Sequence, residues 1–321
     1  MPIEPRHLAS QIKDKAREVG FDLVGIAPAE PSRHRQFLRD WLDSGKHGDM
    51  HYLERRFDER TDVTQFLPGA KSVVCVAANY KTPEPEVEPQ PGTTGIVARY
   101  ARARDYHDWF KPRLYQIADW LREVMPGCST KCGVDTVPVL ERELAARAGI
   151  GYVGKNTCVI DPEIGSWLLL GEVVTTLELP YDQPMLDRCG TCTRCIDACP
   201  TAALTPYMID ATRCISYLTI ERQQPSTDDS LALPTGNWLF GCDICQDVCP
   251  HNRKGVISLH PDVRPMMGQG FGLDDVLNWD EPAYHAATRK LPLRRVKLQQ
   301  WKDRAREIKT QVKTQAKLIQ P

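Results

Sequence analysis

Residues 188–200 read RCGTCTRCIDACP and place Cys189, Cys192, Cys195 and Cys199 in the spacing C-x2-C-x2-C-x3-C-P. Three thiolates so close together wrap one corner of an iron-sulfur cubane, while the fourth, displaced and followed by Pro200, points away to a second cluster. One such motif is incomplete alone. Residues 241–250, GCDICQDVCP, supply the partner with Cys242, Cys245 and Cys249, and Cys214 lies between the two. Crossed ligation then gives one 4Fe-4S cluster held by Cys189, Cys192, Cys195 and Cys249, and another held by Cys199, Cys214, Cys242 and Cys245. Zinc also takes four thiolates, but zinc ribbons pair C-x2-C units without a third close cysteine or a trailing proline. Because each motif lends a ligand to the other cluster, the two clusters must be neighbours, an arrangement suited to electron transfer.

Around this core the chain has 321 residues, more than one domain of ~100–200 residues needs. With 41% hydrophobic and 26% charged residues and a formal net charge of -1, it reads as globular, with no overall pull toward nucleic acid. No window approaches the ~20 apolar residues of a membrane span. The N-terminus, MPIEPRHLASQIKDKAREVG, shows no export signal. The expected setting is therefore cytoplasmic, where twelve cysteines serve metal or redox chemistry rather than disulfides. Cys75, Cys128, Cys132 and Cys158 lack ligand spacing; Cys75 and Cys158 sit in apolar strands and read as small core residues.

Leu8, Ile12, Ala16 and Val19 recur at helical spacing before Gly20, and the strand FDLVGIA follows. A second strand spans 72–80, an acidic proline-rich loop 82–92, a helix 109–124 and another helix 139–148, with Pro138 at its start and Gly149 at its end. Strands around TCVI and WLLLGEVVTTLEL come next. Strand and helix do not alternate regularly, so the first ~180 residues predict an α+β fold rather than a doubly wound sheet. Cysteine density then divides the chain into residues 1–180, a double-cluster ferredoxin-like segment 181–260, and a basic helical tail 261–321.

An isolated pair of clusters would make a ferredoxin, yet some 180 residues precede them to accept the electrons. GIGYVGK, residues 149–155, matches G-x-G-x-x-G but follows a helix and precedes a strand, the reverse of a dinucleotide site. These glycines serve a turn or a close approach to a flat ligand. Asp135 precedes a helix, where it is either a cap or, facing a pocket and kept protonated by desolvation, a general acid. Arg99, Tyr100, Asp105, Tyr106 and His107 make a dense polar group, and His107 by itself reads as structural.

The segments RTDVTQFLPGAKSVV, RYARARDYH, VDTVPVLERELAARAGIGYVGKNT, GSWLLLGE, CISYLTIE and GCDICQDVCPHN, together with the four-cysteine run, closely resemble epoxyqueuosine reductases over roughly residues 20–255. The resemblance implies a nitroreductase-like, cobalamin-binding N-terminal domain, two 4Fe-4S clusters, and reduction of epoxyqueuosine to queuosine at the wobble position of tRNA. It implies Asp135 as the proton donor, and cobalamin contacts at Arg60, Asp135, Val159, Leu170 and Ser216, with Asp243 beside the second cluster. Val159 and Leu170 would touch the corrin through backbone. DYHDWF has Phe110 where the D-x-H-x-x-G signature of many corrinoid proteins needs glycine, so binding without a histidine from that motif is implied.

Between Arg289 and Lys317 eleven basic residues face only Asp303 and Glu307, a local excess of +9 that leaves -10 for the remainder. Such a helix is either a solvated face or a phosphate-binding surface for tRNA. Longer members of the family carry C-terminal helical repeats, for which about 60 residues are too few. The expected partners are a tRNA carrying epoxyqueuosine and an unidentified electron donor of ferredoxin or flavodoxin type, with the chain a monomer. The competing readings are a corrinoid reductive dehalogenase, whose twin-arginine export signal is missing, and a non-catalytic ferredoxin-type carrier.

Overall fold

The structure is a computed structural model that describes residues 4–83, 90–223 and 233–319, with side chains as far as residue 312. Part of the acidic loop read at 82–92, and the side chains of Lys313 and Lys317, lie outside the described residues. Helix α1 (Pro5–Glu18) starts at Glu4, whose carboxylate accepts the His7 N–H, and ends where Gly20 turns left-handed at φ 99°. Its buried stripe, Leu8, Ile12 and Ala16, is the one the periodicity marks. β1 (Leu23–Pro28) follows, then α2 (Arg35–Asp43), α3 (Phe57–Thr61) and α4 (Val63–Phe66).

β2 (Ser72–Asn79) is buried at every position, because it runs through the middle of a four-stranded antiparallel sheet. The sheet order is β1-β2-β7-β4, with β4 at Thr130–Gly133 and β7 at Leu168–Thr175. Strand alternation sends Val74, Val76 and Ala78 to one face, against α1 and α5 (His107–Val124). Val73, Cys75 and Ala77 go to the other face, against α4 and α6 (Glu141–Arg147). The helix read at 139–148 thus begins later, at Glu141, and Pro138 lies outside it. A two-stranded ribbon, β5 (Tyr152–Val153) with β6 (Val159–Ile160), leads from α6 toward β7.

The cysteine-rich segment is built from short pieces: α7 (Arg194–Asp197), the ribbon β8 (Leu204–Thr205) with β9 (Met208–Ile209), α8 (Ile215–Ile220), β10 (Trp238–Phe240), α9 (Ile244–Asp247) and α10 (Pro250–Lys254). After it come β11 (Gly270–Gly272), α11 (Leu273–Asn278), α12 (Glu281–Ala287) and α13 (Leu298–Ile319). β10 and β11 flank β3 (Thr94–Val97), so one small sheet takes a strand from each of the three segments. Its core joins Val97 to Phe240, Leu273, Trp301 and Ile308, and the Phe240 and Trp301 rings stack at 5.7 Å.

The basic tail is therefore not one solvated face. Arg304 is 5% exposed and donates to the Trp238 carbonyl at 2.8 Å, while Trp301 is wholly buried. Removing residues 289–321 would open this third core as well as discharge the surface.

Gly25 of β1 lies where α6 crosses the sheet; a Cβ there would stand 2.0 Å from the Ala148 carbonyl oxygen. Gly25→Ala is expected to destabilise the N-terminal core by about 1–3 kcal/mol or more through overpacking. Gly268→Ala, where an added Cβ meets nothing within 4 Å, should leave the unfolding midpoint in denaturant unchanged.

Candidate active site

The described thiols fall into two groups. Cys195 lies within electrostatic reach of Cys189 and Cys249, and Cys249 within reach of Cys192. Cys242 is similarly coupled to Cys214 and Cys199, and Cys245 to Cys242 and Cys214. These neighbours are compatible with the two crossed quartets read from the spacing, and Cys158 lies near members of both, Cys249, Cys214 and Cys245. Sulfurs bound about 2.3 Å from a single tetrahedral zinc would lie about 3.8 Å apart. Among the described residues no three of these thiols bring their sulfurs within 4.8 Å of one another, a wider spacing than a single tetrahedral zinc would give.

The glycine-rich stretch serves the first quartet. The Lys155 backbone N–H donates to Cys189 Sγ at 3.5 Å, and its ammonium holds the carbonyls of Gly190 at 2.6 Å and Cys192 at 3.0 Å. Gly151 gives the close approach, since a Cβ there would meet the Ile160 carbonyl oxygen at 2.6 Å. Cys158, read as a small core residue, donates to the Asn156 carbonyl at 3.8 Å and lies beside the Cys245 thiol.

A cleft of about 1920 Å³ opens beside the second quartet; Cys214, Ser216, Arg60 and Asp135 all line it. Asp135 sits on the loop after β4, six residues before α6, and does not cap the helix. Its φ of 52° is left-handed, a conformation aspartate tolerates through local hydrogen bonding. The Asp135 N–H donates to Glu141 Oε1 and so fixes that turn.

His107, at the start of α5, is central to the electrostatics here. Its Nδ1 lies 2.7 Å from Asp105 Oδ1 and its Nε2 3.4 Å from Asp135 Oδ2. The bond to Asp105, and then that to Asp135, raise the imidazole to about 9, so it is positively charged at neutral pH. The same hydrogen bond holds the Asp135 carboxyl below its ordinary range, outweighing desolvation. The sequence left Asp135 as either a cap or an acid kept protonated by desolvation; in the structure the His107 hydrogen bond favours its carboxylate form.

Behind the loop lies a feature the sequence did not reveal. Glu172 of β7 is paired in register with Gly133 and Cys75, is 1% exposed, and has both carboxylate oxygens buried without a hydrogen-bond partner. Burial, and then the charge of Glu141, push its pKa well above the usual carboxylate value. Burial and Asp135 likewise bring Glu141 up to about 7. A carboxylate in a strand otherwise made of Leu, Gly, Val and Thr was the only available signal.

The remaining sequence candidates divide. Val159 and Leu170 pack in the core between the sheet and α6 rather than on the cleft wall. Asp243 is 3% exposed and accepts the Arg99 N–H at 2.7 Å, one residue from Cys242. From the tail, Lys290, Arg294 and Arg295 reach the cleft, and Arg295 pairs with Glu221.

The family model described as "Epoxyqueuosine reductase QueG, DUF1730" matches residues 60–136, and that of the "4Fe-4S double cluster binding domain" matches residues 188–252. A curated epoxyqueuosine reductase of Gloeobacter violaceus is 44% identical over 77% of this chain and 76% of its own length. That of Xanthomonas campestris pv. campestris is 39% identical over 93% of this chain and 85% of its own. The chain belongs to the epoxyqueuosine reductase family.

Solved structures of the family superpose closely. One epoxyqueuosine reductase, crystallised with an epoxyqueuosine-modified tRNA-Tyr stem loop, matches with a TM-score of 0.85 at 30% identity, over 94% of this chain and 80% of that one. The Bacillus subtilis enzyme, with its catalytic aspartate loop swung out of the active site, matches with 0.85 at 29% over the same shares. The α+β architecture with a double-cluster domain is thus that of the family, and the quartets described above lie inside the matched cluster domain.

Glu172 gives this member of the family a pH signature. An acid whose folded-state pKa is raised contributes stability below its unfolded value near 4.3, and loses it as pH climbs toward the folded value. Glu172→Gln should therefore gain on the parent as pH rises from 5 to 8, at a slope approaching about 1.4 kcal/mol per pH unit. Denaturant unfolding at several pH values reads the difference; parallel curves would mean that Glu172 is ionised in the folded protein.

Proposed function

We propose that the chain reduces the epoxide of epoxyqueuosine, at the wobble position of tRNA, to the alkene of queuosine. The reaction consumes two electrons and two protons and releases the epoxide oxygen as water. Electrons enter from a small ferredoxin- or flavodoxin-type donor at the cluster of Cys189, Cys192, Cys195 and Cys249, whose loop is exposed at Gly190, Thr191 and Thr193. They pass to the cluster of Cys199, Cys214, Cys242 and Cys245. The observation that carries this reading is Cys214, which belongs to the second quartet and also lines the cleft that contains Asp135.

Cobalamin fits that cleft. Its about 1920 Å³ exceeds the ~300–1,000 Å³ of a drug-sized site, and its wall joins apolar Phe37, Leu38 and Trp41 to the guanidinium groups of Arg60 and Arg142. Such a wall suits a broad macrocycle with a polar fringe and an anionic tail. Arg60, Asp135 and Ser216 would hold it from the cleft surface, Val159 and Leu170 by backbone from the strands behind, with Asp243 beside the second cluster. When bound, the corrin supplies a strongly reducing cobalt for the epoxide carbon.

The protein's own groups handle the protons. Asp135 rests as a carboxylate; charged His107, 3.4 Å away, supplies the proton that passes through Asp135 to the departing oxygen, and the second proton comes from solvent. Lys290 and Arg294, at the rim of the cleft, meet tRNA phosphates. Residues 1–180 form the catalytic unit, 181–260 the double-cluster unit and 261–321 the basic helical part of a cytoplasmic monomer. Among the described residues no helix is long and apolar enough to cross a membrane.

The test is anaerobic reconstitution with iron, sulfide and cobalamin, followed by mass analysis of an epoxyqueuosine-containing stem-loop, which should lose one oxygen. Asp135→Asn, which keeps the left-handed turn, should retain corrin yet slow turnover about 10²-fold or more. Parent turnover should also fall as pH rises through about 9, where His107 discharges. Near-parental turnover by Asp135→Asn would remove Asp135 from the mechanism.

A further inference from the structure

Between α2 and α3 the chain GKHGDMHYLE, residues 45–54, has only one short turn of 3-10 helix, His51–Leu53, yet it supplies Met50, Tyr52 and Leu53 to the cleft wall. Three side chains converge within it. One ligand atom each from His47, His51 and Glu54 lies within 4.8 Å of the others. Glu54 Oε1 stands 2.8 Å from His47 Nε2 and 3.4 Å from His51 Nδ1, and the two imidazole rings meet edge-on at 5.6 Å.

An ordinary reading would have Glu54 simply bridge two imidazoles by hydrogen bonds. That reading accounts for His51 but not for His47. His47 is 6% exposed, packed against Trp41, and neither of its buried ring nitrogens has a hydrogen-bond partner. The Glu54 oxygen approaches Nε2 but lies off the line along which a ring N–H could donate. A buried polar group left in that state costs about 1–3 kcal/mol unless something else satisfies it.

We propose that His47, His51 and Glu54 form a binding site for a divalent transition-metal ion of zinc type. Two atoms each about 2.1 Å from one ion stand about 3.0–3.4 Å apart at octahedral to tetrahedral angles, close to the observed 2.8 and 3.4 Å. Two imidazoles and one carboxylate are a donor set that zinc accepts, with water completing the coordination. The ion satisfies the buried nitrogen and ties the half-exposed His51 and Glu54 to it, which braces the cleft wall. Trp41, against His47, in turn donates to the Ile209 carbonyl at 2.6 Å, so the brace reaches the cluster segment. The site contains no cysteine and is separate from the two quartets.

The experiment uses cluster-loaded protein, equilibrated anaerobically with micromolar zinc and desalted, with zinc and iron per chain counted by elemental mass spectrometry. The parent should retain one zinc beyond its iron. His51→Ala and Glu54→Gln should lose it, at least tenfold in affinity, with iron unchanged. His285→Ala, which alters an exposed histidine whose nearest carboxylate, Glu281, is 3.7 Å away, should keep it. Zinc should also slow backbone hydrogen exchange over residues 45–54 in the parent and not in Glu54→Gln. Equal zinc in parent, His51→Ala and Glu54→Gln, or none in the parent, would overturn the proposal. Both readouts are independent of whether the enzyme turns over.

Discussion

The eight thiols of a double-cluster segment, supplied by two cysteine motifs and Cys214, constrain nearly everything else in this protein. Cys249 lies back near Cys192 and Cys195 of the first motif, and Cys199 and Cys214 lie near Cys242 of the second. The segment between has little regular structure of its own, only short helices and ribbons. Loading the quartets is therefore coupled to folding it. The same segment places Cys214, at the start of α8, on the wall of the cleft built by the N-terminal sheet and helices.

In the cleft, the governing fact is an uneven sharing of charge. His107 takes a proton because two carboxylates face it, and Asp135 is held ionised in consequence. Glu141 holds the Asp135 turn through the backbone and lies close enough to Glu172 to disfavour its ionisation. Groups whose environments drive their titrations apart are what acid-base chemistry at neutral pH requires. A purely structural site would have little use for an orphaned carboxylate under a strained turn.

Much of this was legible in the residues. The cysteine spacing marked the double-cluster segment because C-x2-C-x2-C-x3-C-P has few other uses, period-3.6 patterns gave the buried stripes of α1 and α5, and β2 is an apolar run buried throughout. The small sheet β10-β3-β11 was not legible, since three or four residues carry no periodicity and their partners are remote in sequence. The tail misled for a different reason: a charge count cannot distinguish Arg304, buried on the Trp238 carbonyl, from Arg294 at the cleft rim. His107, Glu141 and Glu172 are individually ordinary residues whose roles come only from being brought together. The catalytic assignment of Asp135 and the cobalamin contacts rested on resemblance, and the structure adds that Val159 and Leu170 stand behind the wall.

The crossing itself can be measured by counting iron in paired cysteine variants prepared anaerobically. Crossed ligation predicts that Cys195→Ser with Cys249→Ser removes one cluster and leaves about four irons per chain, while Cys242→Ser with Cys249→Ser removes both and leaves about none. Ligation confined within each motif predicts the reverse, and that pattern would contradict the account.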